Sequence, residues 1–271
     1  MAFNTAYDLD SLVVNTKAAT VYTAHEQSLF LGGDIIPMVN LPAGSIVAQI
    51  PVMGSVTAEK LTSADPTALD DFTALNVTDT KVTIEANIYA ARHVLRDLGG
   101  IDPSETGRVL GNAIQAKFDA DVVSAMNGFT ASSSDGDPVT IDSLFEAAAQ
   151  IRGTGETGPL IGIVSSFEAG NLMKDIGSTS YAGGDFQTEA LRNGFLGTIA
   201  GIRMFQSSYM NAQTNRGYIF AQDAMRIAMF KNVDLEIGRR PEAVGFDIVA
   251  NLHAGVGVVD ATRGVKLVNV A

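Results

Sequence analysis

The 271-residue chain contains no cysteine. That excludes disulfides, thiol nucleophiles and thiolate zinc sites, and it suits a reducing compartment. Charged residues are scarce, at 18%, and no apolar run approaches the ~18 residues of a membrane-spanning helix. The start, MAFNTAYDLD, has neither the basic stretch nor the apolar run of a secretion signal. These absences point to a soluble, unexported chain. Lys/Arg clusters interleaved with aromatics are missing as well, and the formal net charge is −12. The charge is uneven: +2 from Arg203 onward and −14 over the rest. An acidic surface repels phosphate backbones, so a direct grip on nucleic acid is disfavoured.

What is present is apolar. Hydrophobic residues make up 46% of the sequence, enough for a sizeable core in one or two domains. Residues 1 to about 30 are weakly periodic and read as a partly extended arm, with at most a short helix around Thr20 to Leu29. Ala48 to Val52 and Val56 to Lys60 flank Met53-Gly54-Ser55, which reads as a hairpin tip. Asp65-Pro66 marks a turn within a polar stretch. Lys81 to Tyr89 then alternates, with Val82, Ile84, Ala86 and Ile88 facing one way and Thr83, Glu85 and Asn87 the other, as in a half-buried strand. Residues 42 to 88 thus form a long two-stranded excursion. Two strands alone are marginal in water, so a neighbouring subunit is the natural support.

Pro103 to Asn127 carries the strongest helix signal. Asp102 can cap it, Pro103 suits the first turn, Glu105 completes a capping box, and Asn127-Gly128 closes it. Such a helix is about 24 residues and ~36 Å long. Its stripe of Leu110, Ile114, Phe118, Val122 and Met126 drifts by about 160° around the axis, so several packing partners are needed to cover it. Ala131 to Pro138 reads as a linker. A helix at Ile141 to Arg152, a buried strand at Leu160 to Val164 and a helix capped by Ser165, with Glu168 three residues on, follow. The tail is strand-rich: Val244 to Ala250, Gly255 to Val259 and Val265 to Val270. Segregated helices and strands in this order predict an α+β fold.

The chemical motifs dissolve on inspection. Gly153-Thr-Gly155-Glu-Thr-Gly158 matches G-x-G-x-x-G, but a helix precedes it and Pro159 with a strand follows, the reverse of a dinucleotide site. Asp135, Asp137 and Asp142 fit no calcium-loop spacing. His25, His93 and His253 lack any metal-ligand spacing. Ser165 and Ser166 sit between strand and helix, as a nucleophile does, yet Val164 and Phe167 stand where G-x-S-x-G needs glycines. No catalytic, cofactor or metal site survives, and the reading is non-enzymatic. Arg239-Arg240-Pro241 is the one basic cluster; a solvated turn and intersubunit pairing with carboxylates both remain open for it.

Leu191 to Met210, LRNGFLGTIAGIRMFQSSYM, alternates turn glycines (Gly194, Gly197, Gly201) with apolar residues, as a short turn feeding a β-hairpin does. This segment, together with Pro159 to Val164, Phe167 to Leu172 and the ending Gly255 to Val268, resembles the major capsid protein of tailed bacteriophages, the Hong Kong 97-type coat fold. The resemblance lies in element order and turn spacing over nearly the whole chain. It implies an α+β fold with an N-terminal arm (1–40), an extended β-hairpin loop (41–90), a spine helix with part of a peripheral domain (91–134), an axial domain (135–230) and peripheral-domain strands (231–271). It implies hexamers and pentamers closing an icosahedral shell around double-stranded DNA, in a virion assembled in the host cytoplasm. An acidic wall suits DNA that slides past it. Candidate intersubunit contacts are Met53 and Lys60 near the hairpin tip, and Arg239 and Arg240. No cofactor is expected. Expected partners are further copies of the chain, a separate scaffolding protein (since the sequence starts almost at the arm) and a portal, with a cement protein as a further candidate and assembly non-covalent. An encapsulin-type nanocompartment shell is the alternative within the fold, and a hydrolase using Ser165 or an aspartate pair the alternative outside it.

Overall fold

The computed structural model describes residues 6–42, 44–53, 79–96, 103–133, 139–178, 197–212 and 215–268. Four helices occur among them: α1 Ala6–Gln27, α2 Pro103–Ala125, α3 Ile141–Gly153 and α4 Ser166–Ser178. The strands are β1 Met38–Asn40, β2 Val47–Met53, β3 Asp79–Glu85, β4 Asn87–Arg96, β5 Ala131–Ser133, β6 Leu160–Ser165, β7 Thr198–Ile199, β8 Ile202–Ser207, β9 Asn215–Ala221, β10 Met225–Arg240, β11 Gly245–Val258 and β12 Gly264–Val268. They form a four-stranded sheet in the order β1-β10-β11-β4, a six-stranded sheet in the order β5-β12-β9-β6-β8-β7, and the separate pair β2-β3.

The long helix is α2, and its drifting stripe is buried without any second copy of the chain. Leu110, Ile114, Phe118, Val122 and Met126 are all at most 3% exposed. α1 covers one side of α2, and β4 and β11 cover another. Tyr89 of β4 meets Phe118 edge to face, with ring centroids 5.6 Å apart. The stripe drifts because its partners change along the helix, as the spacing required.

α1 corrects the expectation of an extended arm. Residues 6–27 form one helix of 22 residues where at most a short helix around Thr20 to Leu29 was expected, and the described side chains of its inner face are small and mostly polar. Thr16, Thr20, Thr23 and Ala24 are buried against Gly107 and Gly111 of α2. A Cβ at Gly107 would lie 2.6 Å from the Thr16 carbonyl oxygen, and one at Gly111 would lie 2.7 Å from that of Thr20. The two backbones are therefore in contact. Close backbone approach, rather than large interlocking side chains, joins this pair.

The two-stranded excursion exists, with a different pairing. β2 pairs antiparallel with β3, from Val47↔Glu85 to Met53↔Asp79, so the partner of Ala48 to Val52 is not Val56 to Lys60, which lies outside the described residues. The alternation expected through Tyr89 breaks at Ala86, where the chain leaves β2 and joins β11. Beyond the break Ile88 is 68% exposed and Tyr89 is 7% exposed: a single irregular residue inverts every following side chain. The root of the pair rests on its own chain, because Ala48 and Ile84 cluster with Ala228 of β10. Gly255 is required there, since a Cβ would collide with the Glu85 carbonyl oxygen.

Elsewhere Ala131–Ser133, read as linker, is β5, paired parallel with β12, because an edge position for three residues was available beside β12. The tail segments 244–250 and 255–259 are one continuous strand, β11, because its glycines accommodate the crossing chain without ending the ladder. α3 is capped by a reciprocal Thr140–Ser143 box.

Alanine replacing glycine within a free helix stabilises it by about 1 kcal/mol. At Gly111 we expect the reverse, a loss of about 1–3 kcal/mol on Gly111→Ala, read as a lower Tm and weaker hydrogen-exchange protection of residues 14–24. An unchanged or higher Tm contradicts the backbone contact.

Candidate functional site

The sequence candidates for chemistry stand apart. Ser165 is 4% exposed, and its Oγ accepts a hydrogen bond from the Glu168 N–H at 3.2 Å: it is a helix cap, closed to substrate. The Glu168 carboxylate, fully buried, accepts from Val139 N–H at 2.9 Å and Asn171 Nδ2 at 3.2 Å, tying the start of α3 to α4 and leaving the capping box one-sided. The glycine loop after α3 is held shut. Arg152 Nη1 donates to the Glu156 and Gly158 carbonyls at 3.1 and 2.8 Å, and Arg263 pairs with Glu156 at 2.8 Å. His93 lies on β4, while His253 on β11 stacks on Phe230 at 5.9 Å. Among the described residues no group of His, Asp or Glu is arranged to hold a metal, and no helix is long and apolar enough to cross a membrane. Asp135 and Asp137 lie outside the described residues.

What the structure does build is a framework of two sheets, with α1 and α2 packed against the four-stranded one. Three polar anchors fix α1 and α2 to it. Asp119 of α2, 2% exposed, accepts from Ser28 Oγ at 2.7 Å, Leu29 N–H at 3.3 Å and Gln115 Nε2 at 2.9 Å, so it pins the turn that ends α1. Burial raises its pKa above the ordinary carboxylate value, against the pull of these donors. Asp234 of β10 pairs with Lys17 of α1 at 2.5 Å and with Lys231 at 3.0 Å; the Lys17 hydrogen bond foremost, then Lys231 and the Leu235 N–H, hold its pKa well below normal. At the far end of α2, Tyr218 Oη and Asn215 Nδ2 both donate to Asn127 Oδ1, at 2.6 and 2.9 Å, joining the helix end to β9.

The predicted contact residues are not one site. Met53 ends β2. Lys60 lies outside the described residues. Arg239 and Arg240 end β10, beside the turn to β11, with the Arg239 guanidinium over Phe246 at 5.2 Å and Arg240 3.9 Å from Glu242. Val244 in that turn is left-handed (φ 46) and 62% exposed. In the segment that drew attention in the sequence, Gly197 to Ser207 forms the hairpin β7-β8. Its turn residues Ala200 and Gly201 have φ of 55 and 77, the pairing that a tight hairpin demands. Leu191 to Leu196 lie outside the described residues. The α1–α2 contact was missed in the sequence, although Gly107 and Gly111, four residues apart on one helix face, were its signal.

A family model described as phage capsid protein matches residues 104–267, from the first turn of α2 to β12. The chain belongs to that family. A search of curated protein sequences finds no match. Among solved structures the chain is similar to the capsid structure of the cyanophage P-SCSP1u, at 14% identity over 87% of this chain and 86% of that one, TM-score 0.67. It is similar to the mature capsid of bacteriophage PhiM1, at 16% identity over 90% and 88%, TM-score 0.63. It is also similar to a virus-like particle from Pyrococcus furiosus, at 11% identity over 94% and 98%, TM-score 0.63. At such identities the likeness establishes the fold, the α+β Hong Kong 97-type coat fold. This is a structural protein of the capsid.

The raised pKa of Asp119 has a definite sign. A carboxyl that binds its proton more tightly when folded adds stability below its unfolded pKa, near 4, and loses it as pH rises through the folded value. Asp119→Asn keeps the shape and removes the charge, so the variant lacks this part of the pH dependence of Tm. Asp119→Ala orphans the Ser28 and Leu29 donors and costs about 1–3 kcal/mol. Identical Tm–pH curves for wild type and Asp119→Asn contradict the assignment.

Proposed function

We propose that this chain is the major coat subunit of a tailed-phage head, forming hexamers and pentamers that close into an icosahedral shell around double-stranded DNA. The observation that carries the reading is the family match from residue 104 to residue 267. In this reading residues 1–40 are the arm and 41–90 the extended loop. Residues 91–134 are the spine with part of the peripheral domain, 135–230 the axial domain, and 231–271 peripheral-domain strands. The β2-β3 pair reaches a neighbouring subunit through Met53 and Lys60. Arg239 and Arg240, on a projecting turn, meet carboxylates of another copy. The net charge of −12 lets packaged DNA slide along the wall without adhering. Assembly is in the host cytoplasm, with a separate scaffolding protein and a portal as partners, a cement protein as a further candidate, and no covalent cross-link.

One observation favours a second reading, an encapsulin-type compartment: the fold likeness extends to the virus-like particle of Pyrococcus furiosus. Nuclease-protected DNA within particles from infected cells supports the phage head, and an enzyme cargo supports the compartment. The hydrolase alternative has no accessible nucleophile at Ser165.

Sedimentation velocity tests the proposal. The wild-type chain sediments as capsomers and shells, whereas Arg239→Ala with Arg240→Ala loses no more than about 1 kcal/mol of stability, as surface positions do, and shifts toward smaller species. A double variant that assembles as wild type removes these arginines from the contact.

A further inference from the structure

β10 is paired with β11 along its whole length on one edge. On its other edge β1 pairs only with Ile227 to Met229, and α1 is tethered next to it by Lys17 and Asp234. From Leu235 to Arg240 no strand among the described residues pairs with that outer edge. Leu235 is buried there, while Glu236, Gly238 and Arg239 are exposed, and a strand edge with no strand partner presents hydrogen-bonding groups to a second chain.

Three features of this edge point to one occupant. The Leu235 N–H is taken by the Asp234 carboxylate at 2.9 Å and not by β11. Alternate residues of an antiparallel strand turn their N–H and C=O to alternate edges, so Leu235, Ile237 and Arg239 face outward. Gly238 is exposed, has an unexceptional φ, and has no atom within 4 Å of where a Cβ would be. Nothing within the chain calls for a glycine there, and glycine inside a strand marks the close approach of another backbone. Finally, the charges are self-complementary about Gly238. A second strand running antiparallel about a two-fold axis at that residue sets Gly238 opposite Gly238 and Glu236 opposite Arg240, twice. The Glu236 side chain is 70% exposed, and the partners it and Arg240 have within the chain are loose, at 3.9 Å. An axis at Ile237 would instead demand Asp234, already held by Lys17 and Lys231. Pro241, opposite Leu235 in the preferred register, has no N–H and ends the ladder where the strand ends.

We infer that the outer edge of β10, Leu235 to Arg240, pairs antiparallel with the same edge of a second copy about a two-fold axis at Gly238, joining two four-stranded sheets into one. The inference rests on the coat-subunit reading and names the contact through which two subunits of the shell are joined edge to edge.

The absence of cysteine makes the test direct. Gly238→Cys particles, oxidised mildly and run on a non-reducing gel, give a covalent dimer band. Glu236→Cys gives none, because its two copies are about 14 Å apart along the ladder, beyond the ~7 Å reach of a disulfide. Glu236→Cys with Arg240→Cys restores the dimer and decides the matter if Gly238→Cys fails to fold. Particles that form without a dimer band from either variant overturn the edge pairing and leave the coat reading intact, and so does a band from Glu236→Cys alone. A wild-type chain that forms no particles, with no dimer from any variant, sinks both.

Discussion

The burial of α2 on two sides at once is the constraint on which the rest of the structure depends. A helix whose apolar stripe wanders cannot be satisfied by one flat surface, and this one is covered by β4 and β11 on one side and by α1 on another. The α1 contact is short-range and unforgiving, since Gly107 and Gly111 bring backbone against backbone. The sheet contact is broad, with Phe118 and Tyr89 meeting edge to face. Remove either, and an apolar helix some 35 Å long is left open to water.

The polar groups then determine where each element stops. Asp119 holds the turn after α1, Asp234 holds α1 to β10, and Asn127 ties the end of α2 to β9. Gly255 and Gly257 of β11 leave room for β3 to cross the sheet, so the β2-β3 pair departs from a fixed root. Among the described residues Ser165 is a buried helix cap, and no group of His, Asp or Glu is arranged to hold a metal. The body does present the outer edge of β10, unpaired with any described strand beyond Met229, and the exposed β10-β11 turn at Val244. Such a body is suited to tiling, and the family membership gives that suitability its meaning.

Much of this was legible in the sequence where one residue carries one local signal. Pro103 and the four-residue rhythm of Leu110 to Met126 marked α2, and Ser165 marked the start of α4. Gly201 marked the β7-β8 turn. What was not legible depended on partners distant along the chain. α1 has no strong apolar face because its partner offers glycines, so Thr16 and Thr20 can be buried beside a bare backbone. The phase of Lys81 to Tyr89 inverts at Ala86 because β3 and β4 pair with different strands, which no local pattern records. The partner of β2 is set by the sheet beneath it, and the small turn residues after Met53 pointed to a nearer one. For the candidate contact residues, Arg239 and Arg240 stood out as the one basic cluster, whereas the strand edge beside them shows only once β1 is seen to stop at Met229 and no other described strand continues along β10.

The central claim is that the whole chain is shaped to form a closed shell with its own copies. Cryo-electron microscopy of the purified protein at high concentration addresses it most directly. The account predicts closed particles whose reconstruction places this fold, α2 and both sheets included, in every subunit of an icosahedral lattice. A folded, monodisperse monomer with no particles under those conditions contradicts it.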